Sequence, residues 1–340
     1  MGILRTNTIS GIGSDGPVFQ GVAKFDTQGY FVPPSGTTEQ QFPNFGAVDA
    51  SSARGIFFGG GYSAPTLYDV IDYVTISTTG NAQDFGNLTL ERNTTGACSS
   101  LTRGVCAGGF DGSSFYNLMD YVTISSTGNA KDFGDLSGIR IHIGGCSNSI
   151  RGIFGGGWAP QKNVIEYITI SNTGNAFDFG DLTLARFQPA SFSSTTRGIF
   201  AGGTAPPSNL NNIDYITITS TGNAVDFGDL NNTASATGLS NSTRGLAVIT
   251  NGSSDAIDFV TIASLGNATD FGNQTVSNRE FSGSFASSIR GVIGGGSAAS
   301  TGNVIDYVTI ATTGNAQDFG DLIQQRHRLS GCSNGHGGLG

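Results

Sequence analysis

Between residues 141 and 182 the chain passes through four short apolar or alternating segments, separated by Gly, Asn and Ser. Strand signals fall at 141–147, 151–155, 164–171 and 176–182. The third segment reads Val164-Ile165-Glu166-Tyr167-Ile168-Thr169-Ile170 and is almost continuously apolar and β-branched. That is the pattern of a strand covered on both faces. Gly174-Asn175, between the third and fourth segments, offers the positive φ of a tight hairpin. Helical 3.6-residue periodicity is absent.

The whole pattern recurs. An Arg-Gly pair opens it at Arg54, Arg103, Arg151, Arg197, Arg244 and Arg290, in steps of 49, 48, 46, 47 and 46 residues. An acid follows in the third strand each time, as Asp72, Asp120, Glu166, Asp214, Asp258 and Asp306. Asp-Phe-Gly then recurs from Asp84, Asp132, Asp178, Asp226, Asp270 and Asp318. Four strands on a period of this length predict an all-β fold, a β-propeller of four-stranded blades.

Both ends of the chain carry partial repeats. Residues 17–34 read as two strands around Thr27-Gln28-Gly29, with Gly29 lying 51 residues before Gly80. At the other end, Leu329-Ser330-Gly331-Cys332-Ser333-Asn334 matches Ile143-Gly144-Gly145-Cys146-Ser147-Asn148. Six whole repeats and two halves predict seven blades, the last closed jointly by 15–40 and 323–340; six blades is the alternative. The propeller then spans 15–340, behind an extended arm over 1–14. In the fifth repeat Arg244-Gly-Leu-Ala-Val-Ile-Thr lacks the Gly-Gly pair of the others, which predicts a distorted blade.

The repeated arginine and the repeated acid predict buried ion pairs set within or between blades, repeated because the fold repeats. A ring of ligands around a channel is the competing reading. Asp-Phe-Gly here has no kinase-type partners. It predicts a structural turn, with Phe packed between blades and Gly permitting a bend. Asp132 with Asp135, and Asp178 with Asp181, offer oxygen ligands of the type calcium takes, but the repeat explains them as well, and no metal or other cofactor is expected. Cys98, Cys146 and Cys332 occupy one phase of the repeat. Equivalent positions on neighbouring units do not suit the roughly 5.5 Å Cα spacing of a disulfide, so buried thiols are expected.

Composition narrows the function. Charged residues are 12% of the chain, about half the ~25% of ordinary soluble domains. Ser, Thr, Asn and Gly take their place, which gives an uncharged, hydrogen-bonding surface. The net charge of −9 and the lack of a basic stripe exclude a nucleic-acid partner. No apolar run approaches the ~20 residues of a membrane span, and the N-terminus has no apolar core of a secretory signal. A protein made in a cytosol and released by lysis fits. No nucleophile elbow or metal-binding His-Glu-x-x-His is present, so no enzyme is expected. The segments between second and third strands vary in length and sequence, and variable loops on a constant scaffold are where recognition resides. Their aromatic residues Tyr62, Tyr68, Phe110, Phe115, Tyr116 and Trp158 are the candidate binding residues.

Gly-Gly followed by a variable loop and an Asp-Tyr strand resembles the kelch-type propeller repeat. Arg-Gly-Ile-Phe-Gly-Gly-Gly, Ile-Asp-Tyr-Val-Thr-Ile and Thr-Thr-Gly-Asn-Ala-Gln-Asp-Phe-Gly-Asp-Leu resemble, more narrowly, repeats of virion structural proteins of marine tailed bacteriophages of the cyanophage type. The opening Leu4-Arg5-Thr6-Asn7-Thr8-Ile9-Ser10 is similar to openings of phage fibre and tail proteins. The resemblance implies a virion protein assembled in the host cytoplasm. Its arm, through Leu4, Thr6 and Ile9, would dock to another virion subunit. Its propeller would face a host-surface glycan or protein from a tail or fibre, or decorate the capsid. An oxidase-like kelch enzyme is the third reading, although no position matches a copper-ligand set.

Overall fold

The computed structural model describes residues 18–19, 23–25, 31–32, 53–62, 66–250, 254–277, 279–296 and 302–339. The chain forms two compact units, Met1–Ala47 and Val48–Gly340. In the first, Val18–Phe19, Ala23–Phe25 and Phe31–Val32 make a three-stranded antiparallel sheet in chain order. The arm residues Leu4, Thr6 and Ile9 lie outside the described residues.

The second unit is a ring of six four-stranded antiparallel sheets. Blade 3 shows the plan: innermost strand Gly144–Ser147, then Arg151–Gly155, Val164–Thr169, and outermost Phe177–Asp181. These fall inside the segments that the hydropathy pattern predicts. Blade 2 opens with Gly96–Ser99, blade 4 with Ala190–Ser193, blade 5 with Ala236–Ser240 and blade 6 with Gly283–Ala286. Blade 1 takes its innermost strand, Ser330–Ser333, from the C-terminus and pairs it with Arg54–Phe58.

The expected seventh blade is therefore not formed. Each repeat, counted from its arginine, begins at the second strand of a blade, so the repeat at Arg54 lacks an innermost strand. The C-terminal half-repeat supplies that strand and is not part of an extra blade. The strands Val18–Phe19, Ala23–Phe25 and Phe31–Val32 pair with one another. Shared closure leaves no open sheet edge at the seam, as in any ring of this kind.

Apolar clusters form between blades. Cys98, Val105 and Phe133 of blade 2, for example, pack with Phe154, Ile168 and Ile170 of blade 3. The Arg-Gly glycine sits at the tightest contact. A Cβ on Gly245 would lie 1.9 Å from the Phe192 ring of blade 4, and one on Gly55 would lie 1.8 Å from Phe285 of blade 6. On Gly198 the nearest atoms would be Cys146 Sγ at 2.9 Å and Ile216 Cγ1 at 3.1 Å, a milder clash. All four cysteines are free and buried, and burial pushes the Cys146 and Cys332 thiols up to about 12.

Hydrogen bonds join the blades at three radii. Around the channel, Ser99, Ser147, Ser193, Ser240 and Ser333 each donate a hydroxyl to a carbonyl of the preceding blade, with Ala286 at the sixth position. Further out, each repeated arginine lies 4.6–4.8 Å over the third-strand aromatic of its own blade, as Arg151 over Tyr167. It also donates to the next blade, as Arg151 Nη1 to Ile218 O at 3.0 Å. At the rim, the Gly-Asn turn clasps the preceding blade and does not simply close a hairpin. Gly128 N donates to Phe85 O at 2.7 Å, and Asn87 N donates to Asn129 Oδ1 at 3.1 Å.

The ion pairs need correction. Arg54, Arg103, Arg151, Arg197, Arg244 and Arg290 do not pair with the repeated acids. In blade 3, Arg151 faces Thr169, three strand positions from Glu166, about 10 Å along a strand. The acids instead meet a second arginine, just before each innermost strand: Arg92–Asp120 (3.0 Å), Arg140–Glu166, Arg186–Asp214 (2.8 Å), Arg279–Asp306 (3.1 Å) and Arg326–Asp72 (2.9 Å). All ten side chains are buried. Blade 5 has Ala234 at this place, and Asp258 accepts from Asn231 N and Nδ2 at 3.0 and 2.8 Å. Gln274 of the same blade donates to Ile249 O at 2.9 Å, much as Arg92 holds Gly108 O. The blade remains a regular four-stranded sheet, so its departure is confined to one end.

Candidate binding site at the channel mouth

The variable loops and the segments leading into the innermost strands share one end of the ring, the top. Backbone bonds tie the two sets together, as Trp158 to Ile141 and Phe187 to Thr204. At the other end the strand turns are capped by Ser or Asn, as Asn148 Oδ1 accepting from Arg151 N at 2.8 Å. There Gly337–Leu339 form a short 3-10 turn, and His336 Nε2 lies 3.2 Å from both Ser147 Oγ and Ser99 O. The C-terminal segment thus enters the lower channel, where a cavity of about 40 Å³ remains, and a larger cavity lies at the upper mouth.

Five residues define that mouth. Thr94, His142, Gln188, Phe281 and Arg328 each stand two places after the second arginine of a blade, with φ of +54 to +61°. Non-glycine residues rarely adopt this region, least of all a β-branched one. The backbone shows the reason. Thr94 N donates to Arg328 O, His142 N to Thr94 O, Gln188 N to His142 O and Arg328 N to Phe281 O, at 2.7–2.8 Å. The left-handed turn points each N–H and C=O along the circumference, and a hydrogen-bonded belt results. In blade 5 the connection is one residue shorter, and Ala236 N reaches Gln188 O at 3.4 Å.

The side chains on this constant belt differ completely. An aromatic row crosses the mouth: Trp158 to Phe187 (5.4 Å between ring centroids), Phe187 to His142 (5.7 Å), His142 to Phe281 (5.6 Å), and Phe281 to His327 (6.4 Å). His142 and Phe281 belong to opposite blades and meet over the centre. The Arg328 guanidinium lies 5.1 Å from the Phe281 ring centre. Burial, and secondarily the Arg328 charge, hold His142 down to about 4, so it is neutral at neutral pH.

Beneath lies a cavity of about 90 Å³. Among the described residues Arg328 is its one formally charged lining residue, and no carboxylate lines it. Most hydroxyls there are satisfied: Thr95 with Ser330 at 2.8 Å, Thr237 with Ser284 at 2.7 Å, Ser191 to Gly145 O at 3.0 Å. Thr250 Oγ1, Ser282 Oγ and Arg328 Nε are buried and have no hydrogen-bond partner among the described residues. Thr250 and Ser282 are 3% and 6% exposed. Thr250 occupies the place of the second Gly of the Gly-Gly pair, so the departure of the fifth repeat contributes directly to the cavity.

The loop aromatics are not gathered into one patch. Trp158, 39% exposed, joins the rim of the mouth. Phe110 and Phe115 pack on each other at 5.1 Å in the long hairpin of blade 2. Tyr116 is turned inward, its hydroxyl donating to Asp111 Oδ2 at 2.7 Å. Asp111 also accepts from Ser113 N and Ser114 N, and these bonds hold its carboxyl well below the usual range. Tyr62 is exposed and its carbonyl lies 2.7 Å from His327 Nε2, while Tyr68 is half-buried. Among the described residues there is no cluster of three or more metal-ligating side chains.

Fold and mouth together define a six-bladed, all-β propeller with a polar, cationic cavity at one end of its channel. The chain matches no protein-family model, and comparison with characterised proteins finds no relative.

Proposed function

We propose that this chain is a non-enzymatic recognition protein of a phage virion, with the propeller as a rigid platform and its top face as the contact surface for the host. One observation carries the reading: five chemically different side chains, Thr94, His142, Gln188, Phe281 and Arg328, stand on one repeated, strained backbone position around the mouth. A position kept only for the belt would favour Gly or Asn. Strain retained at a set of variable side chains is typical of sites that act on a ligand. The repeat resemblance supplies the virion, and the uncharged Ser/Thr/Asn surface suits a polar partner. Residues 1–14, through Leu4, Thr6 and Ile9, dock the protein to a neighbouring subunit in this reading. The test is adsorption: soluble protein added to host cells should block particle attachment, and antibody should label the tail or fibres of intact virions. Label spread across the capsid, with no block of attachment, would make it a decoration protein.

A further inference from the structure

We infer that the channel mouth takes the carboxylate of an acidic sugar, such as a uronic or sialic acid at the end of a surface polysaccharide, with Arg328, Thr250 and Ser282 as its anion-holding groups. The inference rests on the recognition reading above and names the ligand of that same site.

The charge pattern comes first. Arginines in the blades are otherwise neutralised by an acid or laid on a ring and bonded to carbonyls, in a repeated way. Arg328 lies on Phe281 and has no acidic partner among the described residues, and its Nε is buried without a hydrogen bond. A buried donor left unmade is unfavourable by more than a made bond is favourable. A cation with two unpartnered hydroxyls and no carboxylate in the cavity wall is a site for an anion. Charge-assisted bonds from a guanidinium to a planar oxyanion are the strongest available there. His142 adds no charge but can donate or accept as a neutral ring.

Size and rim then select the remainder of the ligand. A 150 Å³ cavity holds a benzene molecule. The mouth, at about 90 Å³, admits a carboxylate group and leaves the pyranose ring that bears it outside. Outside, the exposed Trp158 and the half-buried Phe187 form an aromatic pair at the rim, the kind of apolar surface on which the C–H face of a sugar packs. An acidic peptide would gain little from those faces, and its further charges would meet no other cation in the cavity wall.

Binding of the full chain should be followed by calorimetry and by NMR with D-galacturonate, D-glucuronate and N-acetylneuraminate, against galactose, sulfate and a glutamate peptide. The acidic sugars should bind at least about tenfold more tightly than galactose, since hydrogen bonds to a charged group are worth one to two decades. Arg328→Gln should lose roughly tenfold to a hundredfold, and Thr250→Val or Ser282→Ala about threefold to tenfold each. Lys131→Gln, on an outermost strand, should change nothing. Should Arg328→Gln fail to fold, the two hydroxyl variants and the shifts of the Gln188, Thr250 and Ser282 amides decide the matter. Equal binding of galactose and galacturonate would overturn the inference, as would sulfate or the peptide binding as well as the sugars. If no sugar binds while the soluble protein still blocks adsorption, the ligand class is wrong and the recognition reading survives. If neither occurs, both fall.

Discussion

Blade 5 provides an internal control for the buried ion pairs. In blade 4, Asp214 receives Arg186 Nη2 at 2.8 Å, Thr183 N at 3.0 Å and Thr183 Oγ1 at 2.7 Å. Asp214→Asn keeps an acceptor for Thr183 but leaves the Arg186 guanidinium buried and unpaired. Removing one partner of such a pair costs about 3–5 kcal/mol. At roughly 2 °C per kcal/mol for a domain of this size, the melting point should fall by about 6–10 °C. In blade 5, Asp258 has Asn231 as its hydrogen-bond partner among the described residues, with Ala234 where the arginine would be. Burial raises the Asp258 carboxyl above its ordinary range. A carboxyl with a raised folded pKa loses stability as pH rises from its unfolded value through its folded one. Asp258→Asn keeps one Asn231 bond, loses the other because its amide NH2 cannot accept, and removes that penalty, so the opposing effects should leave the change at pH 7 within about 1 kcal/mol of zero. Near pH 3 the wild-type carboxyl is protonated in both states, and any advantage of the variant should vanish. Urea denaturation of both variants at pH 7 measures the difference directly. Equal losses for Asp214→Asn and Asp258→Asn would refute the reasoning.

Other predictions follow the same geometry. Gly245→Ala should destabilise by about 1–3 kcal/mol or more, because the Phe192 ring must move, and Gly198→Ala should cost less, which denaturation curves will rank. A chain ending at residue 329 lacks the strand that closes blade 1 and should lose its cooperative melting transition in calorimetry. Thiol reagent at pH 8 should find no reactive cysteine in the native protein and four after denaturation. Burial holds His142 and His336 at about 4 when folded, below the ~6.5 of an unfolded chain. The stability they contribute is present above that value and is lost as pH falls from about 6.5 to about 4, so the melting point should drop across this window.

Strand positions were legible because every strand of blade 3 announces itself by apolar alternation and a Gly or Asn boundary. The packing of Asp-Phe-Gly was legible for the same reason: Phe85, Phe133 and Phe179 are each 2% exposed, between blades. Phase was not legible. Arg-Gly is the most visible punctuation, but it marks the second strand of a blade, and counting from it turns the missing first strand into an extra unit. The sequence misleads on ion pairing for a related reason. The visible arginine is close to the acid in sequence but lies three strand positions away from it. The true partner varies in spacing and is absent from blade 5. The mouth residues escaped because Thr94, His142, Gln188, Phe281 and Arg328 share a backbone position and no chemistry. Their common feature, two places after that second arginine, becomes readable only once the second arginine is recognised.

Whether the mouth binds an acidic sugar is decided by a crystal structure of the protein soaked with D-galacturonate. Density is expected in the mouth, with the carboxylate bonded to Arg328 and to Thr250 or Ser282 and the ring against Trp158 or Phe187. Density for the sugar elsewhere, with only ordered water in the mouth, would contradict it.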